Sequence, residues 1–274
     1  MRMLKSGQYA NIGGTVRTAE KAQALQARGL KAHVFDGTTP GATLGNDLRA
    51  ASHVILSIAP GADGDPALMH HRGDLDASRA LEWLCYYSTV GVYGDFGGAW
   101  IDESAPLVPR NDRSDRRVLA EQAWRDYAKA RGVPLTILRL AGIYGPGRST
   151  FDKLADGTAK RVIKPGQVFN RIHVADIALV TERAALARLE GTFNLADDEP
   201  APPQDLVTRA AAMMGVKPPA EIDFASADMT PMQRSFYADN KRVSNAAIKQ
   251  ALGIDLLYPN YRAGLAAIYA GQQS

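Results

Sequence analysis

His53-Val54-Ile55-Leu56-Ser57-Ile58-Ala59, closed by Pro60-Gly61, is a short continuous apolar run stopped by two turn residues. That pattern reads as a strand buried on both faces, the kind that belongs to a parallel sheet covered by helices. The flanking segments should then be helical, and both carry that spacing: Leu44 to Ser52 before the run and Ala67 to Ala80 after it. Further along, Trp83 to Thr89 and Leu135 to Leu140 repeat the apolar run, with a helix over Arg116 to Arg131 stopped by Gly132 between them. Toward the amino end, Ile12 to Val16 reads as a strand, and Thr18 caps a helix over Ala19 to Arg28 closed by Gly29. Ala32 to Phe35 is a further strand ending in Asp36-Gly37. Strands alternating with helices in this way predict an α/β fold around a parallel sheet.

The bulk numbers agree with one large core carrying a smaller lobe: 274 residues, 46% of them hydrophobic. After Gly147 the alternation becomes irregular, and Glu199-Pro200-Ala201-Pro202-Pro203 breaks the chain before a helix over Leu206 to Met214. The expected division is 1–147 with 168–196 as the main domain, and 148–167 with 197–274 as a lobe over the carboxyl ends of the strands. A net charge of +3 is too mild for a nucleic-acid partner. One cysteine, Cys85, excludes an internal disulfide and fits a reducing cytoplasm; in an apolar strand it reads as inert packing. Residues 1–7 contain no apolar leader, and no apolar run approaches the ~18 residues of a membrane span. Met69-His70-His71-Arg72 with Asp74 does not read as a metal site, since adjacent helical residues point about 100° apart. A solvated helix face is expected there.

Three segments resemble one family. Tyr86-Tyr87-Ser88-Thr89-Val90-Gly91-Val92-Tyr93-Gly94-Asp95 is similar to the serine-bearing strand of extended short-chain dehydrogenases/reductases. Arg139-Leu140-Ala141-Gly142-Ile143-Tyr144-Gly145-Pro146-Gly147-Arg148 is similar to their cofactor-facing strand and turn, and Arg171-Ile172-His173-Val174-Ala175-Asp176-Ile177-Ala178 to a third hallmark. In the expected order over about residues 10 to 200, they mark a Rossmann-type, atypical member of that superfamily, resembling bacterial NAD(P)-dependent epimerase/dehydratase proteins. The resemblance implies an NAD(P) cofactor, a small-molecule substrate, a cytoplasmic location and compatibility with a homodimer.

Two departures stand out. A dinucleotide fold opens with a strand, a glycine-rich turn and a helix, so that backbone N–H groups and a helix end reach the pyrophosphate. No G-x-G-x-x-G lies ahead of Ile12, and Gly13-Gly14 falls in or beside a strand. The missing strand should leave two interior neighbours without ladder partners. Met1 therefore reads as an internal start in a longer frame, or the chain as a damaged copy, and this form is expected to bind dinucleotide poorly unless an in-frame front is added. The second departure concerns the Tyr-x-x-x-Lys proton relay that the family pairs with a Ser or Thr. Counted back from Glu121, its slots fall on Arg113 and Arg117, which stay protonated near pH 7. Arg117 retains a role in holding ribose or phosphate.

By the same resemblance, Ser88 and Thr89 are the expected catalytic hydroxyls and Tyr93 a proton donor, each also readable as strand-end or core; Tyr87 and Asp95 are weaker candidates. Arg17 with Thr18 occupies the place where an acid would select NAD, so a cation points to NADP. Asp36-Gly37 resembles the adenine-contacting pair. Ser57-Ile58-Ala59-Pro60, Leu140 and Ile143 line the cofactor, while Arg148, Arg171 and His173 are expected to contact substrate or else to serve as salt bridges and caps. The expected function is an NAD(P)-dependent oxidoreductase or epimerase/dehydratase-like enzyme on a sugar-like or carbonyl/hydroxyl substrate. The alternatives are a non-catalytic NADP-binding sensor and a nonfunctional truncated product.

Overall fold

The computed structural model describes Met3 and residues 7–273. Along the chain run β1 (Gly13–Val16), α1 (Ala19–Gln26), β2 (Lys31–Val34), α2 (Leu44–Ala50), β3 (His53–Leu56), α3 (Pro66–Ala77) and β4 (Trp83–Thr89). A 3-10 turn (Val90–Tyr93) and β5 (Trp100–Ile101) lead to α4 (Asp112–Arg131), β6 (Leu135–Leu140), β7 (Gly142–Tyr144), α5 (Thr150–Ala155), β8 (Arg161–Ile163) and β9 (Arg171–His173). The remainder is α6 (Val174–Ala187), β10 (Gly191–Leu195), α7 (Pro203–Met214), β11 (Glu221–Asp223), α8 (Pro231–Ser235), β12 (Arg242–Val243), α9 (Ala246–Leu252) and α10 (Tyr261–Gln273).

Packing divides the chain into two compact units. One holds residues up to Ser88, Asn111–Leu138 and Leu179–Thr192; the other holds Thr89–Arg110, Arg139–Ala178 and the residues from Phe193 onward. Relative to the sequence-based division, the second unit also takes residues 89–110, 139–147, 168–178 and 193–196.

A four-stranded sheet has the order β10-β6-β4-β3, so the three apolar runs at residues 53, 83 and 135 are neighbours, as the Rossmann reading requires. β3 and β4 are parallel, from His53 opposite Trp83 to Leu56 opposite Tyr86. β6 is buried along its whole length, and the polar residues in these central strands have partners. The buried Trp83 indole donates to Thr136 Oγ1 at 3.1 Å and to the Leu189 carbonyl at 3.0 Å. Val54, Leu56, Leu75, Leu84, Tyr86, Trp124 and Ile137 form the core of the first unit. α4 begins at Asp112, ahead of the expected Arg116, because the Asn111 side chain caps it by accepting from Ser114 N–H and two acids sit in its first turn.

β1 and β2 form a separate parallel pair, Gly13 opposite Lys31 to Val16 opposite Val34. No described strand joins this pair to the four-stranded sheet, so β1 and β3 each have a partner on one side only.

The second unit is built from short parallel pairs, β7 with β9, β8 with β11 and β5 with β12. Its core gathers Tyr144, Phe151, Leu206, Ala210, Tyr261, Leu265 and Ile268. Among the described residues, no helix is long and apolar enough to cross a membrane. One expectation is corrected here: His71 is 2% exposed, not on a solvated face. Its Nε2 accepts from Gly41 N–H at 2.9 Å, which puts the ring proton on Nδ1, directed at Asp74 at 2.9 Å.

Candidate functional site

In the first unit, the carboxyl ends of β1, β2, β3 and β4 carry most of the residues singled out from sequence. Arg17 follows β1 and is exposed; Thr18 caps α1 by accepting from Lys21 N–H at 3.4 Å. Asp36 follows β2 and accepts from the N–H and hydroxyl of Thr38 at 2.9 and 2.7 Å. Those bonds, with a smaller contribution from nearby Arg17, hold its carboxyl below the usual range. Gly37 has a φ of +90°, and a side chain there would press on Ile58 and Pro66, so glycine is required where the ends of β2 and β3 meet. Beyond β3, Ser57 and Ala59 are exposed while Ile58 and Pro60 are half-buried. Small side chains on an open strand end allow a ligand to approach closely.

At the end of β4 the expected catalytic hydroxyl proves to be committed. Ser88 is 4% exposed, and its Oγ donates to Glu121 Oε1 at 2.5 Å; Glu121, fully buried on α4, also accepts from Arg125 at 3.1 Å. Arg117, in the lysine slot, donates to the Tyr87 carbonyl at 2.7 Å and to the Tyr86 hydroxyl at 3.0 Å, its guanidinium 5.6 Å from the Tyr86 ring centre. The slot therefore carries a fixed cation aimed at the strand end that bears Ser88. Arg113 is exposed in the first turn of α4. Tyr87 bonds the Thr181 hydroxyl at 2.7 Å.

Sequence reading missed two members of this cluster. Asp65 caps α3 through Oδ1, which accepts from Ala67 N–H at 3.0 Å, while its Oδ2 is buried with no partner. Burial raises its pKa. Tyr86 is fully buried, and burial pushes its phenol up to about 12 against the opposing charge of Arg117. The Asp65-Pro66 pair was a readable cap signal; nothing in the sequence pointed Tyr86 at Arg117. Cys85 is buried beside it, and burial raises its thiol pKa, which matches an inert role.

In the second unit, Thr89 Oγ1 accepts from Gly91 N–H at 3.1 Å and caps the 3-10 turn. An accepting hydroxyl still has its proton to donate, so Thr89, half-buried, keeps a polarising group where Ser88 does not. Tyr93 is fully buried; its hydroxyl donates to Asn194 at 2.7 Å and accepts from Arg139 at 2.8 Å. Its hydroxyl proton is thus engaged by Asn194, whereas the expectation was a proton donor. Asp95 is a turn residue, accepting from the N–H groups of Gly97 and Asn240. Leu140 is buried, Ile143 half-buried and Arg148 exposed.

Two expected substrate contacts turn inward. Arg171 is 6% exposed and donates to the carbonyls of Phe169 and Ala201 at 2.9 and 3.0 Å, between the rings of Phe169 and Tyr261. His173 is buried between the rings of Tyr144 and Tyr258, and its Nδ1 accepts from Ala175 N–H at 3.2 Å. Its proton thus sits on Nε2, which has no partner, and burial lowers its pKa. Nearby Asp197 is almost wholly buried with an unpartnered Oδ2, and burial outweighs the opposing charge of Arg171 to raise its pKa to about 7. A cavity of about 460 Å³ in the first unit is lined by Arg125, Lys129, Val133, Ile137 and Glu190, at the amino ends of β6 and β10, away from this chemistry.

The parallel α/β sheet, with Arg17, Asp36, Ser57 and Ser88 at or just past the carboxyl ends of strands in the first unit, is of the Rossmann type. The chain belongs to the NAD dependent epimerase/dehydratase family, whose profile matches residues 68–187. Among solved structures it is similar to a functionally unknown conserved protein from Silicibacter pomeroyi DSS, with 45% identity and a TM-score of 0.88 over 98% of this chain and 93% of that one. It also resembles a protein of the NAD-dependent epimerase/dehydratase class from Methylobacillus flagellatus, with 26% identity and a TM-score of 0.70 over 100% and 93% of the two chains. The fold extends to UDP-glucuronic acid 4-epimerase from Bacillus cereus in complex with NAD, with 16% identity and a TM-score of 0.74 over 98% and 92%. No curated protein matches the chain.

Proposed function

We propose that the protein is an NADP-preferring member of this family, acting on a sugar-like or carbonyl/hydroxyl substrate. The observation that carries the reading is the exposed Arg17 at the end of β1, with Thr18 beside it and Asp36 at the end of β2. A guanidinium in that place complements a 2′-phosphate, and Asp36 is suited to the adenosine side. Thr89 is the hydroxyl best able to orient a substrate oxygen, with Arg117 supplying fixed positive charge in the first unit. Substrates of the sugar-nucleotide kind, like that named for the Bacillus cereus epimerase, are in keeping with this reading.

The described residues fit only half of a dinucleotide. Arg17, Thr18 and Asp36 suit the adenosine side, whereas among the described residues no glycine-rich turn offers a seat for the pyrophosphate. The test accordingly uses half-cofactors: calorimetric titration with 2′,5′-ADP and with 5′-AMP, on wild type and Arg17→Asp. A charge-assisted contact contributes about 1.5–3 kcal/mol, so the 2′-phosphate should strengthen binding at least about tenfold in wild type and not in the variant. Equal affinities for the two nucleotides in both proteins would refute the assignment of Arg17. NADPH should bind no more tightly than 2′,5′-ADP.

A second reading, a dinucleotide-binding sensor without turnover, is favoured by one observation: Ser88 and Tyr93 are tied to Glu121 and Asn194, and an arginine holds the lysine slot. NADPH binding without turnover across sugars and carbonyl compounds would select it.

A further inference from the structure

Thr43 stands immediately ahead of α2, where a threonine ordinarily caps a helix by accepting from its first N–H groups, as Thr18 does for α1. Its side chain makes no such cap. Instead, Thr43 Oγ1 lies 2.7 Å from Nδ1 of His33 on β2, and the other ring nitrogen, Nε2, lies 2.7 Å from Asp47 Oδ2 on α2. Lys31, also on β2, donates to the second oxygen of the same carboxylate.

The charge on Asp47 fixes where the protons sit. Against the cost of desolvation, the bonds from Lys31 and His33 hold its carboxyl below the usual range, so it serves as an acceptor only. Nε2 of the neutral His33 ring then carries the proton, and Nδ1 turns its lone pair to the Thr43 hydroxyl. Thr43 therefore donates to a base that is itself oriented by a carboxylate. His33 is 5% exposed and Asp47 partly buried, while Thr43 is exposed. The base is sheltered from water and the hydroxyl is open to reagents.

A hydroxyl, an imidazole and a carboxylate joined in this order are the parts that turn a weak hydroxyl into a nucleophile. We propose that Thr43 is an acyl-acceptor site for small activated acyl donors, esters and thioesters, with His33 as its general base and Asp47 as a positioning residue. As Thr43 Oγ bonds to the donor's carbonyl carbon, its proton passes to His33 Nδ1. The bond to the alkoxide or thiolate then breaks, and the leaving group takes that proton from His33. The products are a threonine ester and a free alcohol or thiol. Arg17, Asp36, Thr89 and Arg117 take no part in this step, so it is independent of the proposed cofactor reading.

The test is brief reaction of the intact chain with p-nitrophenyl acetate at pH 8, followed by tryptic digestion and fragment mass spectrometry. The peptide 32–49 holds His33, Thr38, Thr39 and Thr43 together. Thr39, also exposed and bonded to no histidine among the described residues, is the internal control. General-base assistance contributes about 10²–10⁴-fold, so Thr43 should acetylate at least about a hundredfold faster than Thr39. The label should persist in Thr43→Ser, leave this position in Thr43→Val, and form at least about tenfold more slowly in His33→Gln. Asp47→Asn, whose amide can donate as well as accept, should mix the two His33 tautomers in the nitrogen NMR spectrum and slow acetylation by at least about tenfold. Equal labelling of Thr43 and Thr39, acetyl on His33 in place of Thr43, or an undiminished rate in folded His33→Gln would overturn the acceptor site. An unchanged tautomer and rate in Asp47→Asn would overturn the positioning role. The comparisons with Thr39 and Thr43→Ser leave the buried histidine intact and so decide the matter even if His33→Gln fails to fold.

Discussion

Glu121 is the residue whose replacement most directly tests how the first unit holds its strand end. It is fully buried on α4, accepts from Ser88 Oγ at 2.5 Å and pairs with Arg125, itself 37% exposed. Glu121→Gln keeps an acceptor for Ser88 and removes the charge. Hydrogen bonds to charged groups contribute about 1.5–3 kcal/mol against about 0.5–1.5 for neutral ones, so the loss at Ser88 is roughly 1 kcal/mol. Arg125 is partly hydrated and adds less than about 1 kcal/mol, because solvent replaces much of what it loses. The expected total is about 1–2 kcal/mol. Glu121→Leu strands the buried Ser88 hydroxyl as well and should cost about 2–4 kcal/mol. Adding Ser88→Ala to Glu121→Leu removes the stranded group and should return about 1–2 kcal/mol, which makes the pair strongly non-additive. Urea unfolding at unchanged slope reads all three. If Glu121→Leu lies within about 0.5 kcal/mol of wild type, or if the two changes simply add, the bond is not what fixes the strand end.

Asp197 should make stability fall as pH rises. Its folded pKa, raised by burial to about 7, lies above its ordinary value of 3.8. The unfolded chain therefore releases this proton first, and the folded state loses about 1.4 kcal/mol per pH unit between the two values. Asp197→Asn should flatten that fall between pH 4 and 7 and raise the midpoint at pH 8; parallel curves for the two proteins would count against it. Gly264 on α10 lies under Tyr144, where a Cβ would come within 2.1 Å of the phenol oxygen. Gly264→Ala should destabilise by about 1–3 kcal/mol in thermal unfolding, and an unchanged midpoint would mean that Tyr144 moves aside at no cost.

Much of the fold was legible before any coordinates. Apolar runs at Val54, Trp83 and Leu135 specified adjacent parallel strands because a strand covered on both faces must be apolar at every position, and that requirement is local. Gly29 and Gly132 marked helix ends for the same local reason. α4 was read late because Asn111 and its acids form a polar cap that apolar periodicity does not register.

The candidate site was legible only as a set of positions. Sequence placed Arg17, Asp36, Ser57 and Ser88 at strand ends, since alternation alone fixes where strands stop. It could not tell which way a polar side chain turns. Ser88 and Thr89 are consecutive and chemically alike, yet one hydroxyl is spent on Glu121, more than thirty residues away in the chain, while the other keeps its proton available. Arg171 and His173 read either as ligand contacts or as salt bridges and caps, and only the tertiary packing shows their carbonyl, ring and helix-start partners. Strand and helix positions follow from the period of the neighbouring residues. The partner of a buried polar group is chosen by whatever distant segment the fold brings within hydrogen-bond reach, and that information is absent from any short stretch of chain.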